Sequence, residues 1–282
     1  MQVLNSNSPQ TSVRKPISDI VEQVKSGVVH IIHTVDGQRA GSGTGFMVNG
    51  YLVTNYHVAY LAPENSVVIL RTYDSDSRIL LDGIQLTYQD FLSCSVTASD
   101  ERNYDYIVFD IPLLREKKLY NFSLGNHQLK RMGDSILFLG YPLEHFNIVC
   151  HTGIISSFYK SRNVEIVQID ASVNVSNSGG PLIDPETSEV IGIITRKSTG
   201  LTQTFNELRS IIKKNIKMLT QQNSQSRITL SGFDPVQGMI ANQHQILNLT
   251  YEIERSANVG IGYAFSIEQL KNENVFYTEE QP

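Results

Sequence analysis

Gly41-Ser-Gly-Thr-Gly-Phe-Met-Val-Asn-Gly-Tyr-Leu-Val-Thr-Asn-Tyr-His-Val-Ala59 is the stretch on which the fold reading turns. Within it, the apolar runs Phe46–Val48 and Tyr51–Val53 are separated only by Asn49-Gly50. Asn and Gly accept the positive φ values of a two-residue hairpin turn, so the segment predicts two antiparallel strands joined tightly. Similar short runs recur on either side, at Val28–His33, Val67–Arg71, Tyr106–Ile111, Ser135–Leu139, Ile148–Phe158, Val164–Asp170 and Val190–Thr195. Gly, Asn, Asp and Pro punctuate them, which predicts an all-β chain folded as an antiparallel barrel or sandwich. Helical spacing is confined to a few places. Ile17, Ile20, Val21 and Val24 form a short helical pattern closed by Gly27. Phe205, Leu208, Ile212, Ile216 and Leu219 recur every three to four residues, with Lys213, Lys214 and Lys217 elsewhere around the wheel, so an amphipathic helix is expected. A weaker helical stretch follows at about Val236–Arg255, and strand character returns at Val259–Phe265. A largely helical insertion at about 200–257 thus interrupts a β architecture.

The 282 residues are 40% apolar and 18% charged, enough to bury a substantial core and to exclude disorder throughout. Residues 1–16 are polar and read as a flexible lead-in, leaving 17–282 as the folded domain. The net charge of −5, without a basic cluster, argues against nucleic-acid partners. No run of apolar residues is long enough for a signal peptide or a membrane span, so a cytoplasmic protein without a membrane partner is expected. Cys94 and Cys150 form neither a disulfide framework nor a metal-ligand pattern, which fits a reducing compartment. Glycosylation acceptor patterns at Asn121, Asn174 and Asn248 then carry no meaning.

Chemistry is concentrated in Asp170-Ala-Ser-Val-Asn-Val-Ser-Asn-Ser-Gly-Gly-Pro-Leu182. A serine nucleophile needs a base beside it and backbone N–H groups aimed at the developing oxyanion, and adjacent glycines let the chain fold closely around it. Ser178 meets that description. His57, just after the hairpin, is the candidate general base. Asp105, immediately before the Tyr106–Ile111 run, is the candidate carboxylate that orients the imidazole. Asp110 is the fallback, and the period of two in a strand directs it to the other face. His30 and His33 look like a metal pair, but an i, i+3 pair on a strand faces opposite ways and is expected to serve packing or surface. The same argument separates Cys150 from His151, and burial of the small Cys150 side chain is expected. No metal site is expected.

Five strings occur in order: GSGTGFMVNGYLVTNYHVA, YDYIVFDI, DASVNVSNSGGPLID, VIGIIT and VGIGYAF. Together they resemble the protease domain of HtrA/DegP-type trypsin-like serine proteases. The resemblance implies a chymotrypsin-like double six-stranded antiparallel β-barrel. The first barrel would occupy about 28–115 and the second about 120–199 and 258–268, with the helical insertion before the last strand. It implies a serine endopeptidase that hydrolyses peptide bonds through His57, Asp105 and Ser178 and an acyl-enzyme, acts on a protein or peptide substrate, and needs no cofactor. The backbone N–H groups of the Ser176–Asn177–Ser178 turn would form the oxyanion hole. The pocket wall would draw on Ser172, Val173, Asn174, Thr195, Arg196 and Lys197, facing Gly260 and Gly262. No acid stands at the pocket base, so a small or medium apolar side chain is expected before the scissile bond, or an acidic one if either Arg196 or Lys197 points inward, which strand alternation permits to only one of them.

Two departures stand out. The family has Gly where this chain has Ser176. If the loop needs a left-handed backbone there, a serine costs on the order of 1–2 kcal/mol and activity is conditional on whatever holds the loop; the other reading is that the backbone here tolerates Ser. Only 17 residues follow Phe265, so the PDZ domain usual in the family is not expected. The 200–257 insertion reads as a cover for the second barrel or as the seat of a regulatory protein partner. The alternative function is a catalytically impaired protease-fold module that binds a protein partner. An esterase using the same triad has no specific support.

Overall fold

The computed structural model describes residues 15–73, 83–142, 147–161, 163–195, 200–225, 234–257 and 260–276. Helix α1 (Ile17–Val24) leads into strands β1 (Val28–Val35), β2 (Gln38–Val48) and β3 (Tyr51–Thr54), followed by the single turn α2 (Tyr56–Ala59). Next come β4 (Val67–Arg71), β5 (Ile84–Thr87), α3 (Tyr88–Ser93), β6 (Ser95–Ser99), β7 (Tyr106–Phe109) and α4 (Pro112–Arg115). The second half contains β8 (Ser135–Gly140), β9 (Val149–Ser161), β10 (Val164–Asp170), β11 (Pro181–Ile183) and β12 (Val190–Thr195). Helices α5 (Gly200–Gln225) and α6 (Pro235–Ala257) precede β13 (Gly262–Ser266) and α7 (Glu268–Lys271).

The opening hairpin forms as its sequence predicts. Val48 pairs with Tyr51, and Asn49 and Gly50 between them have φ of 49° and 83°. The first sheet has seven strands in the order β5-β4-β1-β2-β3-β7-β6 and forms a half-barrel among the described residues, with one strand more than the six expected. Its two edge strands are joined by α3, whose buried Tyr88 and Phe91 fill the inner core. The second sheet closes as a six-stranded barrel in the order β10-β13-β12-β11-β8-β9. Strand β13 completes it by pairing Ala264 with Ile194 on one side and Val167 on the other. The two helices therefore lie within the β12-to-β13 connection.

Alternation along β1 explains why it is buried on both faces. Val29 and Ile31 point into the first sheet's own core, whereas Val28 points into a shared core between the two sheets with Phe46, Leu139 and Tyr141. His30 stacks on Tyr141 at 4.4 Å, and His33 lies edge-on to Phe91 at 6.3 Å. The two histidines thus serve packing, on opposite faces. The shared core carries the segments that meet at the site.

Candidate active site

His57 is the second residue of α2, and Asp105 immediately precedes β7. The imidazole Nδ1–H donates to Asp105 Oδ2 at 2.7 Å, and the His57 backbone N–H donates to Oδ1 at 3.0 Å. Two donors from one residue fix the carboxylate, and the carboxylate fixes the tautomer that presents a lone pair on Nε2. Asp105 has φ +49° and is only 4% exposed. Its carbonyl accepts from Asn55 Nδ2 at 2.8 Å and from Tyr56 N–H at 3.2 Å, so the start of α2 is tied to it on both sides. Asp110 pairs instead with Arg115 at 2.6 Å.

Ser178 reaches the same place through Gly179. Gly179 has φ +86°, and a Cβ there would lie 2.1 Å from Thr44 O and 2.2 Å from Thr54 Oγ1, so only glycine permits the approach. Thr44 N–H donates to Ser178 O at 2.9 Å, and Gly179 N–H to Ile194 O at 2.8 Å. The serine is thereby stitched to β2 in one sheet and β12 in the other. Asn55, which bonds Asp105, is also a neighbour of Gly179, so one short segment touches both groups. No hydrogen bond joins Ser178 to His57 among the described residues.

Asn177 N–H is spent on Asn174 O at 3.1 Å, so of the three backbone donors expected for the oxyanion hole this one is engaged elsewhere. Ser176, at φ +75°, occupies the left-handed region that a glycine would take freely. Its neighbours hold it there. Ser42 Oγ–H donates to Ser176 Oγ at 2.7 Å, Arg39 Nη2–H donates to the same oxygen at 3.3 Å and also to Ser42 Oγ, and Thr44 Oγ1–H donates to Ser176 O at 2.7 Å. None of Arg39, Ser42 and Thr44 was legible as a site residue, because a β-strand residue that acts across space leaves no spacing signal.

Of the expected pocket residues, Gly260 N–H donates to Ser172 Oγ at 3.2 Å, and Gly262 lies against Val173 and Ala171. Asn174 closes the turn through Asn177. Thr195 is 3% exposed, and its hydroxyl points to Asp105 Oδ2 at 3.5 Å, placing it behind the carboxylate. Arg196 and Lys197 lie outside the described residues. Cys150 is exposed rather than buried, because its side of β9 faces outward, while His151 on the other side stacks on Phe138 at 4.5 Å. Among the described residues no group of three or more His, Cys, Asp or Glu side chains could hold a metal, and no helix is long and apolar enough to cross a membrane.

Residues 43–193, which hold His57, Asp105 and Ser178 in order, match the family model for the trypsin-like peptidase domain. The chain belongs to this family. Its similarity to curated proteins is to HtrA-type members: 32% identity to mitochondrial serine protease HTRA2 of Bos taurus over 68% of this chain and 41% of that one. Serine protease HTRA3 of Homo sapiens is 31% identical over 65% of this chain and 40% of that protein. The chain thus spans about two fifths of the length of the curated relatives it matches. The structure of Deg5 superposes with a TM-score of 0.51 at 23% identity, covering 64% of this chain and 84% of that one. The HtrA-type protease AlgW with tripeptide also gives 0.51, at 20% identity over 90% of this chain and 61% of that one. These likenesses establish that the peptidase-domain fold is chymotrypsin-like, with one closed barrel and one open half-barrel.

Proposed function

We propose that the chain is a serine endopeptidase in which Ser178 is the nucleophile, His57 the general base and acid, and Asp105 the group that orients His57. The observation that carries this reading is the doubly bonded His57–Asp105 pair, held by the same Asn55 segment that packs on Gly179 beside Ser178. The proposed substrate is a protein or peptide. His57 Nε2 takes the Ser178 proton as Oγ adds to the peptide carbonyl, and the oxyanion is received by the N–H groups of Ser178 and Ser176. His57 then protonates the departing amine, and water repeats the sequence to release the acyl group. The imidazolium formed in each half is stabilised by Asp105, itself polarised by Thr195. Catalytic hydrogen bonds that are loose at rest tighten when substrate fills the site, so the missing Ser178–His57 bond is compatible with this role.

Activity is conditional in this reading, because the donor at Ser176 exists only while its left-handed backbone is held. Fluorophosphonate labelling of the purified chain beside Ser178→Ala, read by intact mass, tests it. One adduct on the native chain and none on the variant is expected. Cleavage of a peptide library by Ser178→Ala would refute the assignment. Absence of labelling, even with candidate substrates present, would favour a protease-fold module that only binds.

A further inference from the structure

Helices α5 and α6 have each other as their main packing partner. At their buried seam, Arg209 donates through Nε to Thr250 Oγ1 at 3.0 Å and through Nη2 to Thr250 O at 2.9 Å. Ile212 is buried one turn further along. The contact sets the register of an antiparallel pair, with Arg209 level with Thr250. Outside the seam, each helix carries a second apolar row, and both rows are exposed. On α5 it consists of Leu208, Ile211 and Met218, from 40% to 58% exposed; on α6 it consists of Met239, Ile246, Leu249 and Ile253, from 38% to 56% exposed.

Both rows follow the alternating three-and-four spacing of a heptad, with Asn215 and Asn242 at their polar positions. Each row sits one residue before its seam: Leu208 and Ile211 precede Arg209 and Ile212, and Leu249 precedes Thr250. One residue is a turn of about 100°. Because the helices run antiparallel, the same turn on each brings both rows to one side of the hairpin. Counted from the Arg209–Thr250 level, the rows share a midpoint near Lys213 and Ile246. No charged residue occupies a row position; Glu207 and Lys214, four residues before and three after Ile211, border the α5 row, while Lys213 and Lys217 fall on other sides of the helix. A seam plus a second apolar row beside it is the pattern of a helix with two helical neighbours inside a four-helix bundle. The hairpin supplies one neighbour for each helix.

We propose that this face joins two copies of the chain, their hairpins closing an antiparallel four-helix bundle. The face is self-complementary, as a two-fold contact requires. A two-fold axis parallel to the helices lays α5 of one copy on α6 of the other with the apolar levels interleaved. It also brings Asn215 and Asn242 to within about two residues, or roughly 3 Å, of the same level. Paired asparagines at such a position fix register. At these fractional exposures the seven residues present on the order of 600 Å² per copy, so a pair that covered them completely would remove on the order of 1,200 Å², the lower end of the range for a stable interface.

Sedimentation equilibrium of the whole chain at tens of micromolar should give twice the 31.6 kDa monomer mass. Ile211→Glu with Leu249→Glu, at positions exposed in the single copy, should weaken association by about 100-fold or more, because each copy would then bury unpaired charges. Its circular dichroism should stay that of the native chain. Lys213→Glu, on another side of α5, should leave the dimer intact. A native chain that stays monomeric overturns the proposal, as does a dimer that survives the double substitution at native strength. A monomer that co-sediments with anionic phospholipid vesicles, and loses this with the same double substitution, would assign the face to a membrane surface instead.

Discussion

Ser176 sits in a conformation that costs a non-glycine residue about 1–2 kcal/mol, yet it is 5% exposed and bonded through both its hydroxyl and its carbonyl. Each such bond contributes roughly 0.5–1.5 kcal/mol, so Ser42, Arg39 and Thr44 together offset the backbone cost. Strain of this kind persists only where the surroundings over-determine it. The proposed oxyanion donor is therefore as secure as its clamp. Ser42→Ala should slow fluorophosphonate labelling of Ser178 by about ten-fold, the equivalent of ~1.4 kcal/mol, with little change in thermal midpoint. In a Ser176→Gly background the same change should be silent, since glycine needs no clamp. Equal slowing in both backgrounds would mean that Ser42 acts some other way. The sequence pointed to Ser176 as the place where the family has Gly, and with it to a left-handed backbone, but the three donors could not be read there, because they depend on β2 crossing beneath the loop.

At the scale of elements, legibility followed local chemistry. Asn49-Gly50 encodes its own turn, and the recurring β-branched runs encode the strands that are buried. Strands β5 and β6 escaped notice because Ile84-Gln-Leu-Thr is short and Ser95-Val-Thr-Ala-Ser is polar and largely exposed; they are strands because β4 and β7 offer them edges. Strand β11 is three residues long and begins with Pro181, and only pairing with β8 and β12 makes it one. Helices α5 and α6 were legible from periodicity, but Leu208, placed by spacing on the inner face, is 40% exposed. The true seam is turned toward Arg209, a charged residue that no apolar pattern would choose. Arg209 also lies 4.0 Å over the Tyr251 ring. Arg209→Ala should therefore loosen the hairpin and leave the barrels alone, since separately packed units open separately. Hydrogen exchange should rise across 205–225 and 236–251 while the amides of Leu137 and Ile193 stay protected. Loss of protection in all of them together would show that the helices are integral to the barrel fold.

For the whole molecule, the two sheets share a core, and the segments of the candidate active site are parts of that core's rim. His30 stands at this junction, stacked on Tyr141 and 1% exposed, with its Nε2 lacking a partner among the described residues. Burial first, then the positive charges of Arg39 and Arg71, push its pKa down to about 3. His33 and His151 are also lowered by burial. In the unfolded chain all three titrate near 6.5. Above that value both states are neutral and pH has no leverage on these groups. As pH falls, only the unfolded chain takes up the protons, so stability is lost progressively from about 6.5 down to the folded pKa. His30 alone should remove about 1.4 kcal/mol per pH unit in that window, or about 2 kcal/mol between pH 6.5 and 5. The Glu165 carboxylate, held low mainly by its bond from Lys160, adds a loss of the same sign only below the carboxylate range, so measurements above pH 5 isolate the histidines. Urea unfolding at pH 7 and pH 5 should show the native chain weakened by at least this amount. His30→Phe, which keeps a ring on Tyr141 and has nothing to protonate, should lose about 2 kcal/mol less over the same interval. An identical loss in the variant would place the acid sensitivity at His33 and His151 and leave the junction between the sheets indifferent to pH.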